Sequence, residues 1–352
     1  MSALRIVIGA GGTAGHIVPA LAVADALRAE GAEVSFIGGE RAETELIPAA
    51  GYELHRLTVR PLPRHKPVAA ARAAAADAGA VLFAVRLLRT ISPAAAIGAG
   101  GYVAAPVGLA ARALNIPLVL MEADSQLGLT NRLLAPLARR VCLSFPIDGR
   151  TSARYLLTGR PVPAPAIDRD AARGRFGIGP GETCVLVFGG SQGARSINRA
   201  AVEAFAGARF RVLHAAGERE FADLHSPGSH YDLRPYIADF GEALLAADLV
   251  VARAGGSIFE IAAHGRPAVL IPYPYATADH QTTNARYMEQ AGATVVIPDS
   301  ELTPARLAQE VGRLLADPAR LRAMGRRSAA LARPDAGAAV AAEALAAARA
   351  RR

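Results

Sequence analysis

At 352 residues and 52% hydrophobic, the chain holds apolar material for about two ordinary cores, which excludes wholesale disorder. It has no run of roughly eighteen consecutive apolar residues, so a transmembrane helix is not expected. The net charge is +8, carried almost wholly by arginine because Lys66 is the only lysine. That balance suits phosphate-bearing ligands or an acidic membrane surface, whereas 5% aromatic residues give no stacking platform and nucleic acid is not an expected partner.

The first residues run straight into a strand-like segment, with no basic stretch leading an apolar one, so a signal peptide is not expected. Residues 4–9 form a short apolar run ending in glycines. Residues 17–30 follow with Ile17, Leu21, Ala24 and Leu27 at helical spacing, and 33–37 read as a second strand. A strand–helix–strand opening predicts a parallel sheet with right-handed crossovers. Further strands are expected at 94–97, 118–121 and 140–143. The proline-rich stretch 158–165 suits a domain linker, and after it the pattern starts afresh. Strands are expected there at 184–188, 210–214, 249–252, 268–271 and 294–297, with helices between them. Residues 336–352 read as an alanine- and arginine-rich helix that packs back on the first domain. The spacing therefore predicts an α/β fold of two doubly wound, Rossmann-like domains, 1–158 and 159–335, facing across a cleft. Cys142 and Cys184 sit in apolar runs without ligand-like spacing and read as buried thiols; no metal site is expected.

Three strand–glycine turn–helix units stand out, at residues 11–16, 98–102 and 189–194. Such a unit aims backbone N–H groups and the positive helix end at an anion. Tight strand–helix packing alone also asks for glycine, but the recurrence of the unit in both domains favours ligand binding. None matches the Walker lysine loop, and the first lacks the dinucleotide spacing, which disfavours an oxidoreductase. A fourth turn, Gly255-Gly256-Ser257, opens a helix with Glu260 in its first turn. There a carboxylate suits the two hydroxyls of a ribose and the turn's N–H groups suit a diphosphate; an acid simply favoured by the helix dipole is the alternative.

Residues 11–16, 98–102, Glu122 with 128–132, 158–162, 189–195, 260–267 and 279–285 together resemble, collinearly over essentially the whole chain, the bacterial MurG family of two-domain GT-B glycosyltransferases. The resemblance implies an inverting transfer of N-acetylglucosamine from UDP-N-acetylglucosamine to undecaprenyl-diphospho-muramyl-pentapeptide, the lipid-linked precursor of peptidoglycan. It implies a peripheral enzyme at the cytoplasmic face of the cell membrane, with no required cofactor and a divalent cation at most stimulatory. By the same resemblance Ser191 serves the phosphates, Ile237 meets uracil through its backbone, Glu260 holds the ribose, and Gln281 with His280 contacts the sugar hydroxyls. Thr13, Ala14, Gly15 and His16 face the donor sugar and the acceptor.

Three departures from the family pattern are visible. The usual His-Glu-x-Asn is Met121-Glu122-Ala123-Asp124, so a carboxylate stands where an amide is customary. The usual Asn-Pro-Val-Arg is Arg160-Pro161-Val162-Pro163, which leaves Arg160 as the nearest stand-in for a phosphate-facing arginine. The turn before Glu260 is one residue short. For general base, His16 leads because a neutral imidazole accepts a proton near neutral pH, and Asp124 is the second candidate. His16 could instead only shape the glycine loop. Arg60, Arg64, Lys66, Arg72, Arg86 and Arg89, interleaved with Leu62, Val81, Leu82, Phe83, Val85, Leu87 and Leu88, predict a patch for an anionic membrane surface; a solvated helix covering the sheet is the alternative. Competing functions are a related transferase with another lipid or small-molecule acceptor, and a non-catalytic nucleotide-sugar binder.

Overall fold

The structure, a computed structural model, describes residues 3–12, 14–58, 67–190, 193–276 and 279–351, with residue 14 and residues 67–77 described by their backbone only. The chain forms two compact units: Met1–Pro163 with Arg333–Arg352, and Ala164–Ala332.

Unit 1 holds β1 (Arg5–Gly9), α1 (Ala14–Ala29), β2 (Glu33–Gly38), α2 (Glu43–Ala49), β3 (Glu53–Arg56), α3 (Pro67–Ile91), β4 (Ala95–Gly98), α4 (Ala104–Ala113), β5 (Leu118–Glu122), α5 (Leu129–Leu134), β6 (Arg140–Leu143) and β7 (Tyr155–Leu157). Its seven strands pair in parallel in the order β3-β2-β1-β4-β5-β6-β7. The strand side chains alternate between two cores, as the pleat requires. On β1, Ile6 and Ile8 join one cluster with Phe36, and Val7 joins the other with Leu120. Parallel strands covered on both faces read as continuous apolar runs, which is why β4 and β5 are fully buried.

Unit 2 holds α6 (Arg169–Arg175), β8 (Cys184–Phe188), α7 (Arg195–Ala204), β9 (Arg211–Ala215), α8 (Glu218–Phe221), β10 (Tyr231–Arg234), α9 (Phe240–Ala246), β11 (Leu249–Ala252), α10 (Ile258–Ala263), β12 (Ala268–Leu270), α11 (His280–Gln290), β13 (Thr294–Val296), α12 (Pro304–Leu315) and α13 (Pro318–Ala330). Its parallel sheet runs β10-β9-β8-β11-β12-β13, the same winding about a first strand as in unit 1.

The last helix, α14 (Ala336–Arg349), packs on α1 of unit 1. Val340, Ala341, Ala344 and Leu345 enter the core that holds Ile17, Val23 and Leu27. The two helices approach closely at Gly337, where a Cβ would stand 3.1 Å from the Ala22 carbonyl oxygen. Arg140 Nε pairs with Glu343 at 3.0 Å and ties α14 to β6.

The expected strands appear within a residue or two of their predicted ends. β3, β7 and β10 were not anticipated, and each is an edge strand. An edge strand buries little, so Glu53–Arg56 and Tyr155–Leu157 carry polar or exposed residues instead of an apolar run. The predicted linker also divides differently. Thr158 and Gly159 both donate from their backbone to the Leu143 carbonyl at 3.1 Å, and Thr158 and Arg160 are buried. Unit 1 therefore keeps the chain to Pro163, where a boundary at Thr158 was expected.

Candidate active site

In unit 1 the strand order reverses direction at β1 and β4, and the loops leaving both strands are glycine turns, the usual place for a ligand in such a sheet. The two turns interlock. Gly101 has φ +75°, and a Cβ there would stand 2.0 Å from the Gly11 carbonyl oxygen, so only glycine fits. A buried carboxylate that sequence patterning did not single out organises both. Glu43, at the start of α2, accepts from Gly12 N at 3.0 Å, Gly39 N at 2.8 Å and the Tyr102 hydroxyl at 3.1 Å. Its only local sign is an acid in a helix's first turn, which is commonplace.

His16 stands at the amino end of α1 with its ring against Gly100, where a Cβ would lie 2.5 Å from Cδ2. Its Nδ1 is enclosed and has no hydrogen-bond partner among the described residues. Burial first, and then the charge of Arg160, lower the imidazole's pKa, while Asp124 raises it. The ring is therefore neutral near pH 7 and able to accept a proton. The structure thus brings His16, Asp124 and Arg160 together. Gly15 joins them through its carbonyl, which accepts from Arg160 Nη2. Thr13 lies outside the described residues, and Ala14 is described by its backbone only.

Arg160, the nearest stand-in for a phosphate-facing arginine, makes hydrogen bonds within unit 1. It is buried, donating to Gly15 O from Nη2 and to Ala123 O from Nη1 at 3.2 Å, so it joins the start of α1 to the loop after β5. The position of Asp124 in that loop is set by Glu122. Burial raises the Glu122 pKa, and hydrogen bonds from Asn131 Nδ2 (2.9 Å), Gly128 N (2.9 Å) and Asp124 N (3.1 Å) oppose the shift.

In unit 2 the corresponding reversal lies between β8 and β11. Ser191, expected at the phosphates, lies outside the described residues. After β11, the Gly255 and Gly256 carbonyls accept from Ile258 N at 3.3 Å and Phe259 N at 3.2 Å, so the turn winds directly into α10. Among the described residues the N–H groups of Gly255, Gly256 and Ser257 enter no backbone hydrogen bond. A helix start with free N–H groups favours an anion. Glu260 follows in the first turn of α10, half-buried. Its backbone carbonyl accepts from His264 Nδ1 at 2.8 Å.

Gln281 meets this turn: its Nε2 lies 3.9 Å from where a Gly255 Cβ would be, and its Oε1 accepts from Tyr273 N at 3.0 Å. His280 is the first residue of α11 and half-buried. Asn284 pins α11 to the turn, donating to Ala254 O at 3.0 Å. Ile237 lies in the loop after β10 with its side chain buried, and its backbone enters no backbone hydrogen bond among the described residues. A further buried network went unanticipated. Arg253 donates to Asp299 (2.6 Å), Ser196 Oγ (2.8 Å) and the Ile271 and Pro272 carbonyls (3.2 and 3.1 Å). It fixes the start of α7 and the end of β12 behind the glycine turns.

Of the expected basic–apolar patch, only the part on the second half of α3 falls on residues whose side chains are described. Arg60, Leu62, Arg64 and Lys66 lie outside the described residues, as does the side chain of Arg72. Leu88 is buried, and Val85 and Leu87 pack against the same core. Val81 is half-buried. Leu82 (64% exposed) and Phe83 (48%) remain outward, flanked on α3 by exposed Arg86 and Arg89. Among the described residues no helix is long and apolar enough to cross a membrane, and no group of three or more His, Cys, Asp or Glu could hold a metal ion.

Comparison with known proteins adds the chemistry of relatives. Residues 6–143 match the glycosyltransferase family 28 N-terminal domain, and residues 184–340 match the family 28 C-terminal domain. The chain is 43% identical over 351 residues to a protein of Methylococcus capsulatus named UDP-N-acetylglucosamine–N-acetylmuramyl-(pentapeptide) pyrophosphoryl-undecaprenol N-acetylglucosamine transferase, covering 96% of this chain and 97% of that one. It is 40% identical over 357 residues to the protein of the same name from Moorella thermoacetica, covering 95% and 96%. The fold is similar to the crystal structure of Acinetobacter baumannii MurG, with a TM-score of 0.76, 27% identity, and coverage of 98% of this chain and 100% of that one. It is also like the calicheamicin glycosyltransferase CalG4 at TM-score 0.72 and 18% identity, covering 98% of this chain and 99% of that one, a likeness of fold alone.

Proposed function

The chain belongs to glycosyltransferase family 28, and from that membership we propose that it transfers N-acetylglucosamine from UDP-N-acetylglucosamine to a lipid-linked muramyl-pentapeptide diphosphate. The observation that carries this reading is collinear 43% identity over 351 residues to an enzyme named for that reaction.

The reaction is a single displacement. The acceptor hydroxyl oxygen bonds to the anomeric carbon as the bond from that carbon to UDP breaks, and the configuration inverts. The hydroxyl proton passes to the neutral imidazole of His16, with Asp124 as the second candidate base; UDP departs with the electron pair. In this reading the N–H groups of Gly255, Gly256 and Ser257, with Ser191, meet the charge that grows on the leaving diphosphate. Glu260 takes the ribose hydroxyls, the backbone of Ile237 the uracil, and Gln281 with His280 the sugar hydroxyls. Thr13, Ala14 and Gly15 border the transferred sugar and the acceptor. No cofactor enters these steps, and a divalent cation acts only as a stimulant. The placement of Gln281 beside the Gly255 turn and the enclosed, neutral imidazole of His16 support these roles.

The acceptor is a lipid, so the enzyme works at the cytoplasmic face of the membrane as a peripheral protein. Leu82 and Phe83 enter the interface while Arg86 and Arg89 meet anionic headgroups, a mixture that suits reversible attachment. Incubating the protein with labelled UDP-N-acetylglucosamine and either lipid-linked muramyl-pentapeptide or diacylglycerol tests the proposal. Label is expected in the former. Label only in diacylglycerol establishes instead a related transferase, the alternative that Asp124 and Pro163 favour, and label in neither points to a binder without transfer.

A further inference from the structure

Unit 2 has a second concavity at the edge of its sheet opposite the Gly255 turn. Pro267 immediately precedes β12 and Asp248 immediately precedes β11, whereas Gly255 follows the carboxyl end of β11. The concavity is open to solvent and offers about 560 Å³, the size of a small organic ligand's site. It is built by close packing of α13 on the loop after α10: a Cβ at Gly325 would stand 2.7 Å from the Gly265 carbonyl oxygen.

Four arginines line this pocket, Arg169, Arg266, Arg322 and Arg326, against one acid, Asp248. That acid is already engaged by Arg169 at 2.6 Å, by Cys184 N at 2.8 Å and by Arg173 at 3.6 Å. Arg266 spends Nε and Nη1 on the His264 and Ala247 carbonyls, both at 2.8 Å, which fixes its guanidinium in the wall and leaves Nη2 over. Burial, and then repulsion from Arg169, lower its pKa to about 10, so it stays charged at neutral pH. Arg322 and Arg326 are exposed one helical turn apart, and their guanidiniums enter no ion pair or hydrogen bond among the described residues. The rest of the wall is apolar, including Pro267, Pro318 and Leu321.

We propose that this pocket binds an organic phosphate, a phosphate or diphosphate ester whose charge meets Arg266, Arg322 and Arg326 while its organic part lies against Pro267 and Leu321. Paired guanidiniums favour phosphate because their fork of N–H donors matches its oxygens. An apolar wall adds nothing for a bare inorganic anion, which is why an ester is the better fit. The site is independent of the transfer reaction, and its test does not depend on that reaction.

The protein is titrated calorimetrically with inorganic pyrophosphate and with phenyl phosphate at low, fixed ionic strength, after UDP has saturated the nucleotide site. Both are expected to bind, phenyl phosphate gaining from the apolar wall. The double variant Arg322→Ala/Arg326→Ala, on an exposed helix face, is expected to bind each about tenfold more weakly or worse. UDP affinity should be unchanged. Arg306→Ala/Arg313→Ala, which removes the same charge from exposed positions on α12, should bind like the parent. A parallel flotation with phosphatidylglycerol and with phosphatidylcholine vesicles separates the sources. Loss of phosphatidylglycerol binding in the Arg322/Arg326 variant assigns the site to a lipid phosphate, and unchanged flotation assigns it to a soluble ester. Pyrophosphate and vesicle binding that both ignore Arg322 and Arg326, or that fall equally in the α12 control, overturn the proposal.

Discussion

Replacing Arg160 by methionine isolates what a buried guanidinium does for the first glycine turn. Arg160 is 7% exposed and donates to the Ala123 carbonyl at 3.2 Å and to the Gly15 carbonyl. A hydrogen bond from a charged donor contributes about 1.5–3 kcal/mol, so the pair contributes about 3–6 kcal/mol. Against this stands the hydration the guanidinium loses on burial, a cost of several kcal/mol that methionine of similar length avoids. The expected net loss is about 1–3 kcal/mol, or roughly 3–10 °C in melting temperature for a unit of this size. The substitution also reaches His16, whose pKa is held low by burial first and Arg160 second, against the pull of Asp124. Removing the like charge leaves the carboxylate's pull in place, so the imidazole takes up a proton at higher pH. With the neutral ring as the proposed base, the acid limb of the pH profile of kcat/KM moves to higher pH. Initial rates of labelled transfer from about pH 5 to 9, with thermal melts alongside, measure both effects. An acid limb that stays in place or moves to lower pH refutes the electrostatic argument, and an unchanged melting temperature refutes the anchoring one.

Three other outcomes are expected. His16→Ala should lower kcat by roughly 10²–10⁴-fold with little change in KM for UDP-N-acetylglucosamine; full turnover in that variant with loss in Asp124→Ala assigns the base to Asp124 instead. Leu82→Glu/Phe83→Glu should weaken binding to anionic vesicles by roughly 3 kcal/mol, about 100-fold, without changing turnover on a water-soluble acceptor analogue, whereas equal sedimentation of parent and variant removes the patch. His214 gives a pH dependence of stability. Burial lowers its pKa to about 3, with Nδ1 held by the Tyr231 hydroxyl at 2.7 Å and Nε2 by Asn198 at 3.0 Å. In the unfolded chain it takes a proton near pH 6.5, so its contribution is whole above that pH and is lost as pH falls towards the folded value. Between pH 7 and 5 it costs about 2 kcal/mol in urea unfolding, and His214→Gln should shed that part of the slope; identical slopes contradict the assignment.

Local pattern was enough for the repeated strand–turn–helix units. An apolar run ending in glycine before an amphipathic helix has few other solutions, so β1, β8, β11 and the turns after them were legible, as was the helix at 336. So was His16 as a polar residue where the first glycine turn meets its helix; Gln281 was named only through the family resemblance, and its place in the first turn of α11 came from the structure. Three of the four edge strands were not legible, because β3, β7 and β10 bury too little to need an apolar run, whereas the edge strand β13 was anticipated. Nor were the groups that hold the turns in place. Glu43 reaches Gly12 and Tyr102, Arg160 reaches Gly15, and Arg253 reaches Asp299, across 31, 59, 145 and 46 residues of chain respectively. No spacing rule links such positions, since a buried charge finds its partners only once the sheet has brought separate loops together. Composition and periodicity determined the two wound sheets and which of their edges carry the glycine turns. Which carboxylates and guanidiniums are spent inside the fold, and which remain to meet a ligand, is decided by tertiary packing, because burial sets the cost of leaving any of them unpaired.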